Sequence, residues 1–214
     1  MSRELTAAWV DGWVVSRGTQ RPRATPWGLW VEVGTPKQHG RYVMLEAREP
    51  IVRDLATRAQ VPALWIKAFV PPEAVRPWLT ADWAQDDPAW LMAVDLSASR
   101  VEVPDGYSVE SVSRDGVVFV TVSAADGTVA AKGQAGVAGE VAVPDQISTE
   151  PAHQRRGLGT VVMRSLANAA LEAGASTGIL GGTNQGRALY ETLGWKTYAP
   201  LAGFVYRMPA PSVL

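Results

Sequence analysis

Residues 157–173 carry a clear helical period: Leu158, Val162 and Leu166 line one face, while Thr160, Arg164, Asn168 and Glu172 recur every fourth residue on another. That spacing predicts an amphipathic helix with one wet stripe, and Gly174 is its natural stop. Before it, alternating and β-branched stretches predict strands near 107–112, 117–124, 128–137 and 140–149. Asp126-Gly127 gives a hairpin signal, and Gly139 punctuates the next turn. After it come a strand near 176–181, a short helix over 184–193 ended by Gly194, and final strands near 195–199 and 203–208.

The first ninety residues read differently. Strands near 8–15, 28–33 and 41–46 precede a helix near 49–60, a strand at 62–70, a short helix after Pro71-Pro72 and a strand at 89–96. This β-β-β-α-β-α-β order matches the order from residue 117 onward, as an internal repeat would. Eight of the nine tryptophans lie in these ninety residues, and only Trp195 lies beyond them. Two descriptions of the segment follow: a degenerate copy of the same fold, and an unrelated small domain whose tryptophans fill its core. Ser97-Ala98-Ser99-Arg100 and Pro104-Asp105-Gly106 read as the joint, dividing the chain into domains 1–98 and 99–214.

Composition narrows the function classes. With 47% hydrophobic and 19% charged residues, the 214-residue chain is expected to fold around a sizeable core. A net charge of -1 gives no footprint for nucleic acid. Cysteine is absent, which excludes disulfides, thiolate metal sites and cysteine nucleophiles. His39 and His153 are the only histidines, so no metal is expected. The start, Met1-Ser2-Arg3-Glu4, lacks the basic-then-apolar pattern of a secretory signal, and no apolar run approaches ~18 residues. A soluble cytoplasmic protein with no membrane partner is the expectation.

The candidate chemistry lies in Gln154-Arg155-Arg156-Gly157-Leu158-Gly159, where a strand feeds two arginines and two glycines into the start of the helix. Backbone N–H groups in the first helical turn lack partners, the macrodipole adds positive charge, and glycine permits close approach. This is an anion site by construction. A dinucleotide fingerprint needs a third glycine where Val162 stands and an acidic residue near Gly178, which has none. A P-loop needs a lysine after the glycine, where Thr160 stands.

The run Ile147-Ser148-Thr149-Glu150-Pro151-Ala152-His153-Gln154-Arg155-Arg156-Gly157-Leu158-Gly159 resembles the acyl-coenzyme A (acyl-CoA) signature of the GNAT acetyltransferase superfamily. Downstream, Gly186-Arg187-Ala188-Leu189-Tyr190-Glu191-Thr192-Leu193-Gly194-Trp195 resembles the family's tyrosine-bearing helix followed by Leu-Gly-aromatic. The thirty-six-residue step from Gln154 to Tyr190 is similar to family spacing, and Pro104-Asp105-Gly106-Tyr107 resembles the approach to its first strand. The resemblance spans roughly residues 104–208. It implies an α/β (α+β) fold: a mixed, mostly antiparallel sheet flanked by helices, with the smaller tryptophan-rich α/β segment before it.

The resemblance also implies site roles. Backbone at Ile147, Ser148 and Thr149 would pair with the pantetheine arm as an added strand. Gln154, Arg155, Arg156, Gly157, Leu158, Gly159 and Thr160 would hold the pyrophosphate, and Thr183 or Asn184 would meet the cofactor arm. Tyr190 would act as general acid toward the departing thiolate. Each has a plainer alternative: Tyr190 as a packing residue, the arginines as solvated charge, and His153 as incidental to the loop.

Two departures from the family pattern stand out. Some members carry a glutamate base twelve residues before the tyrosine, where this chain has Gly178. Glu140, Asp145 and Glu150 are then the nearby acids able to take the proton directly or through water. The family also inserts two helices after its first strand, covering the acceptor site, and the few residues between 112 and 117 leave no room for them. The tryptophan-rich segment is a candidate to replace that cover, with Trp9-Val10-Asp11-Gly12-Trp13 and Ser16-Arg17-Gly18 of interest, although Leu45-Glu46-Ala47-Arg48-Glu49-Pro50 gives it no glycine loop. The implied function is acyl transfer, acetyl foremost, from acetyl-CoA to a primary amine in a ternary complex. The alternative is a non-catalytic acyl-CoA-binding or protein-interaction module.

Overall fold

The computed structural model of the chain describes residues 3–208. In chain order the elements begin with α1 (Arg3–Arg17), β1 (Arg23–Thr25), β2 (Gly28–Thr35), β3 (Gln38–Met44), α2 (Glu49–Thr57) and β4 (Leu64–Ala68). Next come α3 (Pro72–Val75), β5 (Trp83–Gln85), β6 (Ala89–Asp95), β7 (Tyr107–Arg114) and β8 (Val117–Ala124). The chain continues through β9 (Val129–Ala138), β10 (Val141–Thr149), α4 (Leu158–Glu172), β11 (Thr177–Thr183), α5 (Asn184–Thr192) and β12 (Lys196–Tyr206). The architecture is mixed α/β with mostly antiparallel strands, as expected. No helix among the described residues is long and apolar enough to cross a membrane.

The described residues form two compact units, one from 19–91 with 198–208, the other from 3–18 with 92–197. In the first unit the strand order is β1-β2-β3-β4-β12, with β5 also paired to β12. Here β3 and β4 are parallel and joined by α2, and their ladder runs unbroken through five residue pairs from Gly40↔Leu64 to Met44↔Ala68. Met44, Val52, Ile66, Trp83 and Phe204 fill its core. The indole Nε1 of Trp83 donates to the carbonyl of Ala56 (3.3 Å), which satisfies its one polar atom.

In the second unit the order is β6-β11-β10-β9-β8-β7. α4 covers one face of this sheet and α1 the other. The alternation of β9 shows both sides: a side chain at Gly133 would meet Val162 and Leu166 of α4, whereas one at Gly136 would meet the Gly12 and Ser16 backbone of α1. α4 buries Leu158, Val161, Val162, Leu166 and Ala170. It ends where Gly174 turns left-handed (φ 94°) and the Ala175 N–H returns to the Ala170 carbonyl (2.9 Å). Its expected wet stripe is partly used: Asn168 clasps the Ser99 backbone through both amide atoms (2.8 and 3.0 Å), and Arg164 donates to the Arg100 carbonyl (3.2 Å).

Two expectations are corrected. The strand expected near 8–15 is helix α1. Trp9, Asp11, Trp13 and Val15 alternate like a strand, but Thr6, Trp9, Val10, Gly12, Trp13, Val14 and Ser16 are the buried set, and the spacing of three and four among Thr6, Trp9, Val10, Trp13 and Val14 is helical. The final strands expected at 195–199 and 203–208 are one continuous β12, extended through Pro200.

Candidate active site

The parallel pair β10–β11 is short. It registers only at Val141↔Thr177 and Ala142↔Gly178, after which the strands part. Beyond that point β10 carries a bulge: its ladder to β9 passes from Asp145↔Gln134 to Ser148↔Lys132, and Gln146 takes a left-handed backbone (φ 55°). The parting strands and the bulge leave the backbone of 147–149 facing a groove.

That groove, of about 500 Å3, is lined by Ile147, Ser148, Thr149, Gln154, Arg155, Gly157, Leu158, Gly159, Thr160, Thr183 and Tyr190, all residues singled out from the sequence. Gln185, Gly186 and Leu189 also line it and were not foreseen. Their signal was available: 185, 186, 189 and 190 share one face of a helix. Two expected residues are not among its lining. Arg156 turns away and donates to the phenol oxygen of Tyr107 (3.0 Å), which also bonds His153 Nδ1 (2.9 Å). This makes His153 a support for the back of the loop. Asn184 opens α5 outside the lining, and the hydroxyl of Thr183 caps that helix by accepting from the Gly186 N–H (3.2 Å).

The loop itself is shaped for an anion. Arg155 (φ 61°) and Gly157 (φ 81°) are both left-handed, which turns successive backbone N–H groups toward one side. No side chain caps the start of α4, so the Leu158 and Gly159 N–H groups are left for a ligand, while the Thr160 N–H already donates to the Gly157 carbonyl (3.0 Å). Arg155 is the charged side chain in the groove lining, and it is cationic. Gln154 donates to the Thr149 carbonyl (3.3 Å) and ties the loop to the end of β10. At Gly159 a side chain would meet Leu189 at 2.8 Å, so glycine lets α4 and α5 approach each other beside the groove.

At the other end lies Tyr190, its ring 8% exposed and set against Gly182, Gly186 and the indole of Trp195 (centroids 6.1 Å apart). Burial first, and the Asp145 carboxylate second, push its phenol above the ordinary tyrosine value. The group is therefore protonated at neutral pH and able to donate. Asp145 sits at the bulge, where it pairs with Arg17 of α1 (Nη2 to Oδ1 3.0 Å) and accepts from Ser16 Oγ (3.5 Å) and from the Gln146 N–H (2.9 Å). Gln134 of β9 donates to the Ser16 hydroxyl (2.9 Å) and to its carbonyl. Glu140 and Glu150 are exposed. Gly178 has no room for a carboxylate: a Cβ there would lie 2.7 Å from the Trp195 ring and 3.1 Å from Leu96.

Residues 138–201, from the turn before β10 into β12, match the family model described as FR47-like protein. No curated protein matches the chain. Among solved structures, the chain is similar to a GCN5-related N-acetyltransferase from Kribbella flavida, with TM-score 0.72 and 16% identity over 98% of this chain and 96% of that one. A GNAT-family protein from Novosphingobium aromaticivorans gives 0.64 and 14% over 98% and 100%. A GCN5-related N-acetyltransferase-like protein from Streptococcus suis gives 0.62 and 12% over 86% and 85%. Identities this low speak for the fold, and the FR47-like match covers the segment that builds the groove. The chain thus has the GNAT fold, with its glycine loop, parted strands and tyrosine helix inside an FR47-like segment.

Proposed function

We propose that the protein transfers an acyl group from acyl-CoA to a primary amine within a ternary complex. The observation that carries this is the groove itself, with an uncapped cationic helix start at one end and a buried, protonated tyrosine at the other. An extended pantetheine arm suits the free strand edge at Ile147–Thr149, where backbone groups supply the hydrogen bonds. A pyrophosphate suits the N–H groups of Arg155 to Gly159 and the Arg155 guanidinium.

The chemistry then needs few groups. The amine nitrogen attacks the thioester carbonyl carbon, and the carbon–sulfur bond breaks as the new carbon–nitrogen bond is completed. The electron pair leaves on sulfur, which takes the proton of Tyr190. No carboxylate stands at position 178, and Asp145 is engaged by Arg17 and Ser16. The amine therefore reacts in its neutral form and gives its extra proton to solvent, from which the Tyr190 oxygen takes one back. α1, packed on the sheet face away from α4, supplies cover on the acceptor side that the short β7–β8 turn leaves out.

The test is release of free thiol from acetyl-CoA across a panel of primary amines. Amine-dependent release whose rate rises with pH through the amine's own pKa supports transfer without an enzymic base. Tight acetyl-CoA binding without release for any amine supports instead a non-catalytic acyl-CoA-binding protein.

A further inference from the structure

The second unit holds another cavity, of about 230 Å3, that shares no lining residue with the groove. Its walls are apolar and small where they face the sheet and α4: Ala135, Ala142, Pro144, Met163, Leu166 and Ala167. Trp195 and Leu193 close one side, and the 95–99 segment, strapped to α4 by Asn168, closes another. The charged and hydroxyl groups are Asp95, Ser97 and Ser99 of this strap, Arg164 on the facing turn of α4 and Thr192 at the end of α5.

Two neighbouring pairs link this cavity to the groove. Trp195 of the cavity packs against Tyr190 of the groove, their rings tilted 53° apart. Leu166 of the cavity and Ile147 of the groove both approach the space over Gly133, where a Cβ would lie 3.3 Å and 2.5 Å from them and 2.7 Å from Val162. Pro144, in the cavity wall, directly precedes Asp145 at the bulge. Tyr190, in the groove lining, is thus in direct ring contact with the cavity wall.

We propose that this cavity receives the acyl chain of the donor, and that the protein prefers an unbranched apolar acyl group of about four to six carbons over acetyl. An apolar cavity of roughly 150 Å3 holds a benzene ring, so the space here matches an aliphatic chain of about that carbon number. The inference rests on the groove being the acyl-CoA site. With the thioester beside Tyr190, the chain enters past Ile147 and Leu166, and the small side chains at 135, 142 and 167 keep the space open. The transfer step is unchanged: the acyl carbon exchanges its bond to sulfur for one to nitrogen, and the sulfur takes the Tyr190 proton.

Calorimetry with acetyl-, butyryl- and hexanoyl-CoA tests this without an acceptor. Each methylene taken from water into the cavity strengthens binding about fourfold at most, so hexanoyl-CoA is expected to bind at least tenfold tighter than acetyl-CoA. Ala167→Leu fills the cavity from a half-buried helical position outside the groove. It should abolish the hexanoyl advantage and leave acetyl-CoA affinity within about twofold, which also reports that the variant is folded. Met163→Ala should move the preference toward longer chains. Equal affinities along the series, or an advantage that survives in Ala167→Leu, would overturn the acyl pocket while leaving the groove assignment standing. Failure of every acyl-CoA to bind would overturn both.

Discussion

Gly136 sits where α1 crosses β9, and replacing it with alanine is the sharpest perturbation available on the acceptor side. A Cβ at this position would lie 3.0 Å from the Ser16 Cα and closer still to the Ser16 N and the Gly12 carbonyl oxygen. Carbon contacts are optimal at about 3.5–4.0 Å, so relief requires the helix axis to move outward by about 1 Å. Backbone cannot swing aside as a side chain can. Over-packing of this kind costs about 1–3 kcal/mol. The displaced helix also loosens the Gln134–Ser16 and Arg17–Asp145 bonds, at about 0.5–1.5 kcal/mol each. Some gain from replacing a strand glycine offsets this, leaving a net loss of roughly 2–4 kcal/mol. Hydrogen exchange of the α1 amides reads this locally, since the loss corresponds to about 30- to 1000-fold weaker protection. Acetyl-CoA affinity should hold, because the groove lies on the other face, while turnover falls. Gly12→Ala should cost less: its clash is with the Val143 side chain, and alanine improves the helix by about 1 kcal/mol. Unchanged α1 protection in Gly136→Ala, or a larger effect from Gly12→Ala, would refute the docking geometry.

Tyr190→Phe keeps the ring against Gly182 and Trp195 but removes the proton donor. Thiol release should slow by about 100-fold or more with acetyl-CoA affinity preserved, and an equal rate would remove the phenol from the mechanism. Lys67, buried beside Arg41 and paired with Asp86 (2.8 Å), has its ammonium drawn down to about 8, first by burial, then by Arg41, against the pull of Asp86. Between that value and the unfolded 10.5 the unfolded chain holds a proton that the folded chain releases, so stability should rise with pH across this window. The charged form then costs on the order of 3 kcal/mol at neutral pH, and Lys67→Met should flatten the denaturant midpoint measured from pH 7.5 to 10. Tyr107→Phe frees Arg156 and His153 behind the loop, and acetyl-CoA should bind more weakly by about tenfold in calorimetry, with kcat nearly unchanged at saturation.

The glycine loop and Tyr190 were legible because each is a local pattern whose backbone consequence is fixed by a few neighbours. Gly157 must be left-handed for the chain to enter α4, and Tyr190 follows the groove-lining face of α5. The bulge was not legible. Gln146 takes the left-handed turn there without a glycine to mark it, held by the Asp145 side chain on its own N–H. Arg156 looked equivalent to Arg155, yet the partner that diverts it, Tyr107, lies forty-nine residues away on β7. α1 was misread because Trp9 and Trp13 satisfy a two-residue period as readily as a four-residue one. Its grouping with the second unit depends on Gly12 and Gly136 meeting across the fold, a contact no stretch of sequence displays. The glycine at 178 was read correctly as a missing carboxylate; the reason, the Trp195 ring in that space, came only with the packing.

The central claim is that the loop and parted strands bind acyl-CoA, and thermal unfolding with and without acetyl-CoA tests it most directly. At a ligand concentration a hundredfold above Kd, binding adds about 2.7 kcal/mol, which for a chain of this length raises Tm by about 5–10 °C. The predicted result is a saturable rise of that size that disappears in Gly157→Glu, where a carboxylate and a strained left-handed backbone meet the proposed pyrophosphate site. No rise at saturating acetyl-CoA, or a rise undiminished in Gly157→Glu, would contradict it.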